Sequence, residues 1–163
     1  MNRTTRILAA PILVAMLAAC PAWAQSDKQF LSDALKGSNG EIALANLAQK
    51  KGSAEPVRKF ASELAADHSK AKDEISILAT NLHVKVTGQL APEIQQAIVK
   101  LQDLSGPAFD QEFIRVLIDD HQKDIAQFKD KSEQKNGETA ELAARMLPVL
   151  EKHLKTAQSL SAK

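Results

Sequence analysis

Residues 107–128, PAFDQEFIRVLIDDHQKDIAQF, decide how this chain folds. Gly106-Pro107 signals a helix start, because proline suits the first turn and its ring pre-sets φ. Phe109, Phe113, Leu117 and Phe128 then recur at helical spacing, with Ile114 and Ile125 beside them. One polar residue interrupts this stripe. His121 stands four residues after Leu117, seven after Ile114 and seven before Phe128, so it shares their face. A buried imidazole without a partner costs about 1–3 kcal/mol. The sequence therefore predicts a helix with a polar group on its core side, and the rest of the chain must supply partners for it.

Three further long helices are predicted. Ser26 and Asp27 can cap a first helix running to about Lys51, with Phe30, Ala34, Glu41, Leu44 and Ala48 on one stripe. Its middle, Gly37-Ser38-Asn39-Gly40, is weak helix; two glycines cost on the order of 2 kcal/mol against alanine. Ser38 and Glu41 could form a capping box and split the helix there. The stripe keeps its phase across the gap, which favours one continuous helix. Gly52-Ser53 ends it, and Pro56 opens a second helix reaching about Leu82. Val57, Phe60, Leu64, Ala71, Ile75, Leu78 and Leu82 mark its buried face, and His68 lies on it. The segment from His83 to Gly106 is one long connection. It carries a short amphipathic helix, about Pro92 to Leu104, with Ile94, Ile98, Leu101 and Leu104 inward. The third long helix runs from Pro107 to about Lys135, where Asn136-Gly137 is a strong stop. The fourth spans about Glu138 to Ser159, with Leu142, Met146, Val149, His153, Ala157 and Leu160 on one face, and Pro148 is expected to kink or break it. Nothing reads as a strand. The fold class is all-α: an antiparallel, up-down-up-down four-helix bundle with a long crossover between the second and third long helices.

Each long helix thus carries one polar residue on its apolar stripe: Glu41, His68, His121 and His153. In an up-down-up-down bundle the turns near Gly52 and Gly137 share one end. A rise of about 1.5 Å per residue then places His68 roughly 23 Å below that end, and His121 and His153 roughly 24 Å below it. Glu41 comes out about one turn higher, at roughly 17 Å. Two readings follow. Neutral imidazoles plus a carboxylate suit one transition-metal ion such as zinc, iron or copper. Alternatively, His68 pairs with Glu41 while His121 and His153 pair with nearby acids, in a buried hydrogen-bond network. The spacing favours the network, since the bundle di-metal signature needs E-x-x-H on two helices. Ala65 precedes His68 by three residues and Leu150 precedes His153. Asp67 and Asp120, each next to a histidine, either face neighbouring helices and solvent or orient an imidazole from behind. Asp110 suits the N-terminus of its own helix. His83 is expected to be exposed.

Composition narrows the function classes. The 163 residues suit one domain. Basic and acidic residues number 21 and 20 and are interspersed. No basic face of the kind nucleic acid requires stands out. Residues 1–24 read as a signal peptide: Arg3 and Arg6 form a basic start, Ile7 to Ala19 is apolar, and Ala22-Trp23-Ala24 is an A-x-A cleavage site. Cleavage takes Arg3 and Arg6 from the 21 basic residues and leaves 19 against 20 acidic ones. The mature domain, residues 25–163, is then expected in the periplasm. Leu17-Ala18-Ala19-Cys20 resembles a lipobox, which would instead attach the domain to the outer membrane by a lipid at Cys20. Cys20 is the one cysteine, so packing rather than a disulfide must stabilise the mature domain. No later apolar run is long enough to span a bilayer. No nucleophile–base motif or phosphate-cradling loop is present.

Four groups of residues carry a family resemblance. They are Phe30-Leu31, Ala34, Gly37, Glu41 and Leu47-Ala48; Val57, Phe60-Ala61, Asp67-His68 and Leu78-Ala79; Leu104-Ser105-Gly106, Phe109-Asp110, Phe113, Asp120-His121 and Phe128; and Leu147-Pro148, Leu150, His153-Leu154 and Ala157. Together they resemble the exported bacterial family called domain of unknown function 4142, often labelled an outer membrane protein and regarded as ferritin-like. The resemblance implies a ferritin-like helical fold and export, and it implies no activity. A barrel is excluded by the lack of strands. Three functions are then expected. The first is a non-enzymatic exported bundle with a stress-related role, whose Glu41–His68–His121–His153 centre binds one transition-metal ion. The second is a ferritin-like redox enzyme, which the missing E-x-x-H pairs oppose. The third is an envelope lipoprotein that binds partners through its crossover.

Overall fold

The computed structural model describes residues 25–134 and 137–162. The expected signal peptide, Cys20, Lys135 and Asn136 lie outside the described residues. Five helices follow in order: α1 (Asp27–Lys51), α2 (Glu55–Asn81), α3 (Pro92–Gln102), α4 (Gly106–Ser132) and α5 (Glu138–Ser161). Among the described residues there is no strand. The four long helices are α1, α2, α4 and α5, and α3 is the short helix of the crossover.

Ser26 caps α1, its hydroxyl accepting from the Gln29 amide at 3.2 Å. The helix runs unbroken through Gly37–Gly40 because tertiary contacts offset the poor propensity there. A Cβ on Gly40 would come within 2.9 Å of Ile94 Cγ2, so the glycine lets the crossover lie close against α1. The Asn39 amide donates to the Thr87 and Gln89 carbonyls at 2.8 and 3.1 Å and holds the part of the crossover before α3 in place. At the far end of α1, Lys51 donates to the Leu101 and Gln102 carbonyls that end α3. Helix α5 is continuous through Pro148, where a kink or break is expected from the sequence alone. The carbonyl that proline leaves without an amide donor is that of Ala144. Both residues are exposed, so water can satisfy it.

The order of the helices in space corrects the up-down-up-down expectation. Asp110, at the start of α4, accepts from the Ser53 and Ala54 amides at 2.9 and 2.8 Å, so α4 begins beside the α1–α2 turn. Lys131, near the end of α4, donates to the Gln25 carbonyl and to Asp27, at the start of α1. Helices α2 and α4 therefore run the same way, and the crossover climbs the length of the bundle between them. The two short turns lie at opposite ends. The physical reason is the length of the 82–105 connection, which is long enough to return the chain to the end it left. Spatial neighbours remain antiparallel: Lys152 of α5 pairs with Glu63 of α2, and Arg145 with Glu74.

Apolar packing divides into two clusters. One, at the α1–α2 turn, includes Leu44, Val57, Phe60, Leu64, Phe109, Phe113, Leu117 and Ala157. The other, at the opposite end, includes Phe30, Leu31, Leu35, Ile75, Leu78, Phe128, Leu142 and Met146. Between them lies a layer of polar side chains. Glu41, His68, His121 and His153 are all buried.

Candidate metal centre

His68, His121 and His153 meet in this layer. Each sits near the middle of its helix, so the three reach one depth in either helix order, and the depth match read from the sequence survives the corrected topology. Their ring centroids form a nearly equilateral triangle: 5.6 Å from His68 to His121, and 5.4 Å for each of the other two pairs. One ring nitrogen from each lies within 4.8 Å of the other two.

Proton bookkeeping shows what the triangle lacks. His121 Nδ1 is 3.1 Å from the Leu117 carbonyl oxygen. A carbonyl only accepts, so Nδ1 carries the hydrogen and Nε2 is a bare lone pair. His153 Nε2 is 3.0 Å from Asp67 Oδ2, so the hydrogen is on Nε2 and Nδ1 is bare. These two bare nitrogens face each other at 3.4 Å. His68 Nε2 is buried with no hydrogen-bond partner. Burial, reinforced by the neighbouring imidazoles, pushes the His68 ring well below its usual range and that of His121 down to about 4. Burial lowers His153 too, against the opposing pull of Asp67. All three rings are therefore neutral near pH 7, and no proton lies between the facing His121 and His153 nitrogens. A tetrahedral ion with nitrogens about 2.0–2.1 Å away would hold them roughly 3.3–3.4 Å apart, which is the observed His121–His153 separation.

The carboxylates lie outside the triangle. Glu41 Oε1 approaches the His121 Nδ1 edge at 3.7 Å, on the side of that ring away from the other imidazoles. Burial pushes the Glu41 carboxyl well above its usual range, and Asp120 and Asp124 push it the same way. Glu41 thus keeps its proton, and neither of its oxygens has a hydrogen-bond partner. Asp67, on α2, orients His153 on α5 rather than its sequence neighbour His68. Asp120 lies beside Glu41 and hydrogen-bonds to no imidazole. Asp110 caps the start of α2 instead of its own helix. His83 is exposed at a positive φ of 56° where α2 ends.

Sequence reasoning missed two residues. Asp124 lies beside this layer, its carboxyl pushed up to about 7 by burial and by Asp120. Its signal was the i, i+4 spacing from Asp120, together with Gly37 on α1, whose Cβ position is 3.6 Å from Asp124 Oδ2. Lys131 is buried to 2% exposure, its ammonium held by Gln25, Asp27 and Gln134. It stands three residues after Phe128, on the edge of the core stripe.

Fold and site together define an all-helical bundle with a histidine triad placed between two apolar clusters. The family model "Domain of unknown function (DUF4142)" matches residues 13–160, and the chain belongs to that family. Two solved structures share the fold. A DUF305 fragment from Deinococcus radiodurans is 15% identical with a TM-score of 0.71, covering 83% of this chain and 95% of that one. A DUF305 protein from Streptomyces coelicolor is 14% identical with a TM-score of 0.72, covering 84% and 93%. No curated protein matches the chain.

Proposed function

We propose that this protein is an exported, ferritin-like bundle that binds one transition-metal ion, zinc, iron or copper, through His68, His121 and His153. The observation that carries this reading is the pair of bare nitrogens at 3.4 Å beside the unpartnered Nε2 of His68. A hydrogen bond would need a proton between the facing His121 and His153 nitrogens, whereas a cation satisfies both of their lone pairs and can take His68 Nε2 as a third ligand. The Leu117 carbonyl and Asp67 hold two of the rings in the ligand tautomer. Glu41 stands behind the His121 ring, outside the ligand set. The single long crossover supports the ferritin-like assignment. The basic start, apolar run and A-x-A site of residues 1–24 support export to the periplasm, and Cys20 offers outer-membrane attachment by a lipid as the alternative. The chemistry is retention of an ion rather than dinuclear oxidation, because the triad lacks the glutamate pairs of a di-metal bundle.

Titration of the mature domain with zinc, copper and iron tests this. One equivalent of at least one metal should bind, and free metal at 100 times Kd should add about 2.7 kcal/mol to stability. His121→Ala should abolish uptake. Failure of all three metals to bind the folded wild type would sink the proposal.

A further inference from the structure

A cavity of about 310 Å³ opens between α2 and α5 and reaches the histidine centre. His68 and His153 line it. Its walls are mainly apolar, with Ala34, Ile75, Phe128, Met146 and Leu150 drawn from all four long helices. Lys70, Glu74 and Arg145 mark its mouth, where the Arg145 and Glu74 side chains are 61% and 42% exposed. Ligand pockets run from roughly 300 to 1,000 Å³, so this one suits a small molecule. Structural packing does not explain such a space beside buried polar groups, since protein interiors are close-packed.

Resting on the metal reading, we propose that the coordination position left free by the three histidines faces this cavity and takes a small neutral nitrogen heterocycle. Three protein ligands leave a tetrahedral ion one open position. The walls favour a flat, apolar body and penalise a charge taken from water. Asp67 also lines the cavity, and its carboxylate disfavours an anion. A neutral ring with one donor nitrogen meets both conditions and repeats the donor chemistry of the triad.

The experiment uses the mature protein loaded with cobalt(II), whose visible bands report coordination, with metal content measured first. Imidazole is then the probe and azide the anionic comparison. Imidazole should shift the bands saturably, and azide should need at least tenfold more to do so. Ala71→Phe fills the cavity from α2, and Val149→Phe narrows it from the more exposed side of α5. Each should keep its cobalt and weaken imidazole at least tenfold; Val149→Phe carries the test if Ala71→Phe does not fold. Cobalt-loaded protein with no imidazole response, tighter azide than imidazole, or unchanged imidazole affinity in the folded variants would overturn the proposal. Absence of cobalt from the folded wild type would overturn it, and the zinc, copper and iron titration tells whether the metal reading fails with it.

Discussion

His68 is the residue whose cost is hardest to justify by packing. Its Nε2 is buried and unpaired, and its ring sits between two other neutral imidazoles. An orphaned buried donor or acceptor costs about 1–3 kcal/mol, whereas an apolar group of similar shape avoids that penalty. His68→Leu should therefore leave the metal-free protein as stable as wild type or more stable by about 1 kcal/mol, while eliminating metal uptake. Chemical denaturation without metal checks the first half and metal analysis the second. A loss of more than 2 kcal/mol would mean that the ring is held by contacts of its own. At this scale the sequence showed which residues interrupt each apolar stripe, because period and residue type are local properties. It did not show that Asp67 serves His153 across the helix pair, because ring orientation depends on partners from other helices.

Two helix contacts show how elements were placed by groups that look ordinary in the sequence. Gly40 reads as a helix weakness, yet it seats Ile94 of the crossover. Gly40→Leu should cost about 1–3 kcal/mol by overpacking, measured as a lower denaturant midpoint. Ile94→Ala should recover part of that loss in the double variant, which a simple propensity effect would not allow. Asp110 accepts two amides at the start of α2 while standing on α4. It therefore clamps the end of the crossover onto the α1–α2 turn. Asp110→Ala should destabilise by about 1.5–3 kcal/mol, the range for hydrogen bonds to a charged group. A change below 0.5 kcal/mol in thermal or chemical unfolding would remove that role. Helix lengths were legible because caps, prolines and stripes are written within each segment. The partner of Asp110 was not, since its own helix N-terminus offered an equally good local use.

For the whole molecule, the polar layer makes stability depend on pH in two opposing ways. A histidine with a lowered folded value, such as His121 at about 4, is neutral in the fold but takes a proton in the unfolded chain below about 6.5. Its contribution is present above that value and is lost as pH falls toward 4. Asp124 has the opposite sign. Its folded value is raised to about 7, so the fold holds a proton that the unfolded chain has already released. That stability is present below about 4 and is lost as pH rises through 7. Asp124→Asn should therefore raise the unfolding midpoint of the metal-free protein at pH 8, with the gain shrinking toward pH 4. Thermal scans across that range check it, and an equal gain at both ends would refute the linkage. The sequence by itself determined the all-helical class, the four long helices, the crossover and the three core-facing histidines, because each is set by patterns a few residues long. Only the tertiary structure decided that α4 runs parallel to α2, that Glu41 stands behind His121, and that two bare nitrogens meet at 3.4 Å. Those outcomes depend on where a 24-residue connection returns the chain and on which groups each ring then faces, and neither is encoded in any single segment.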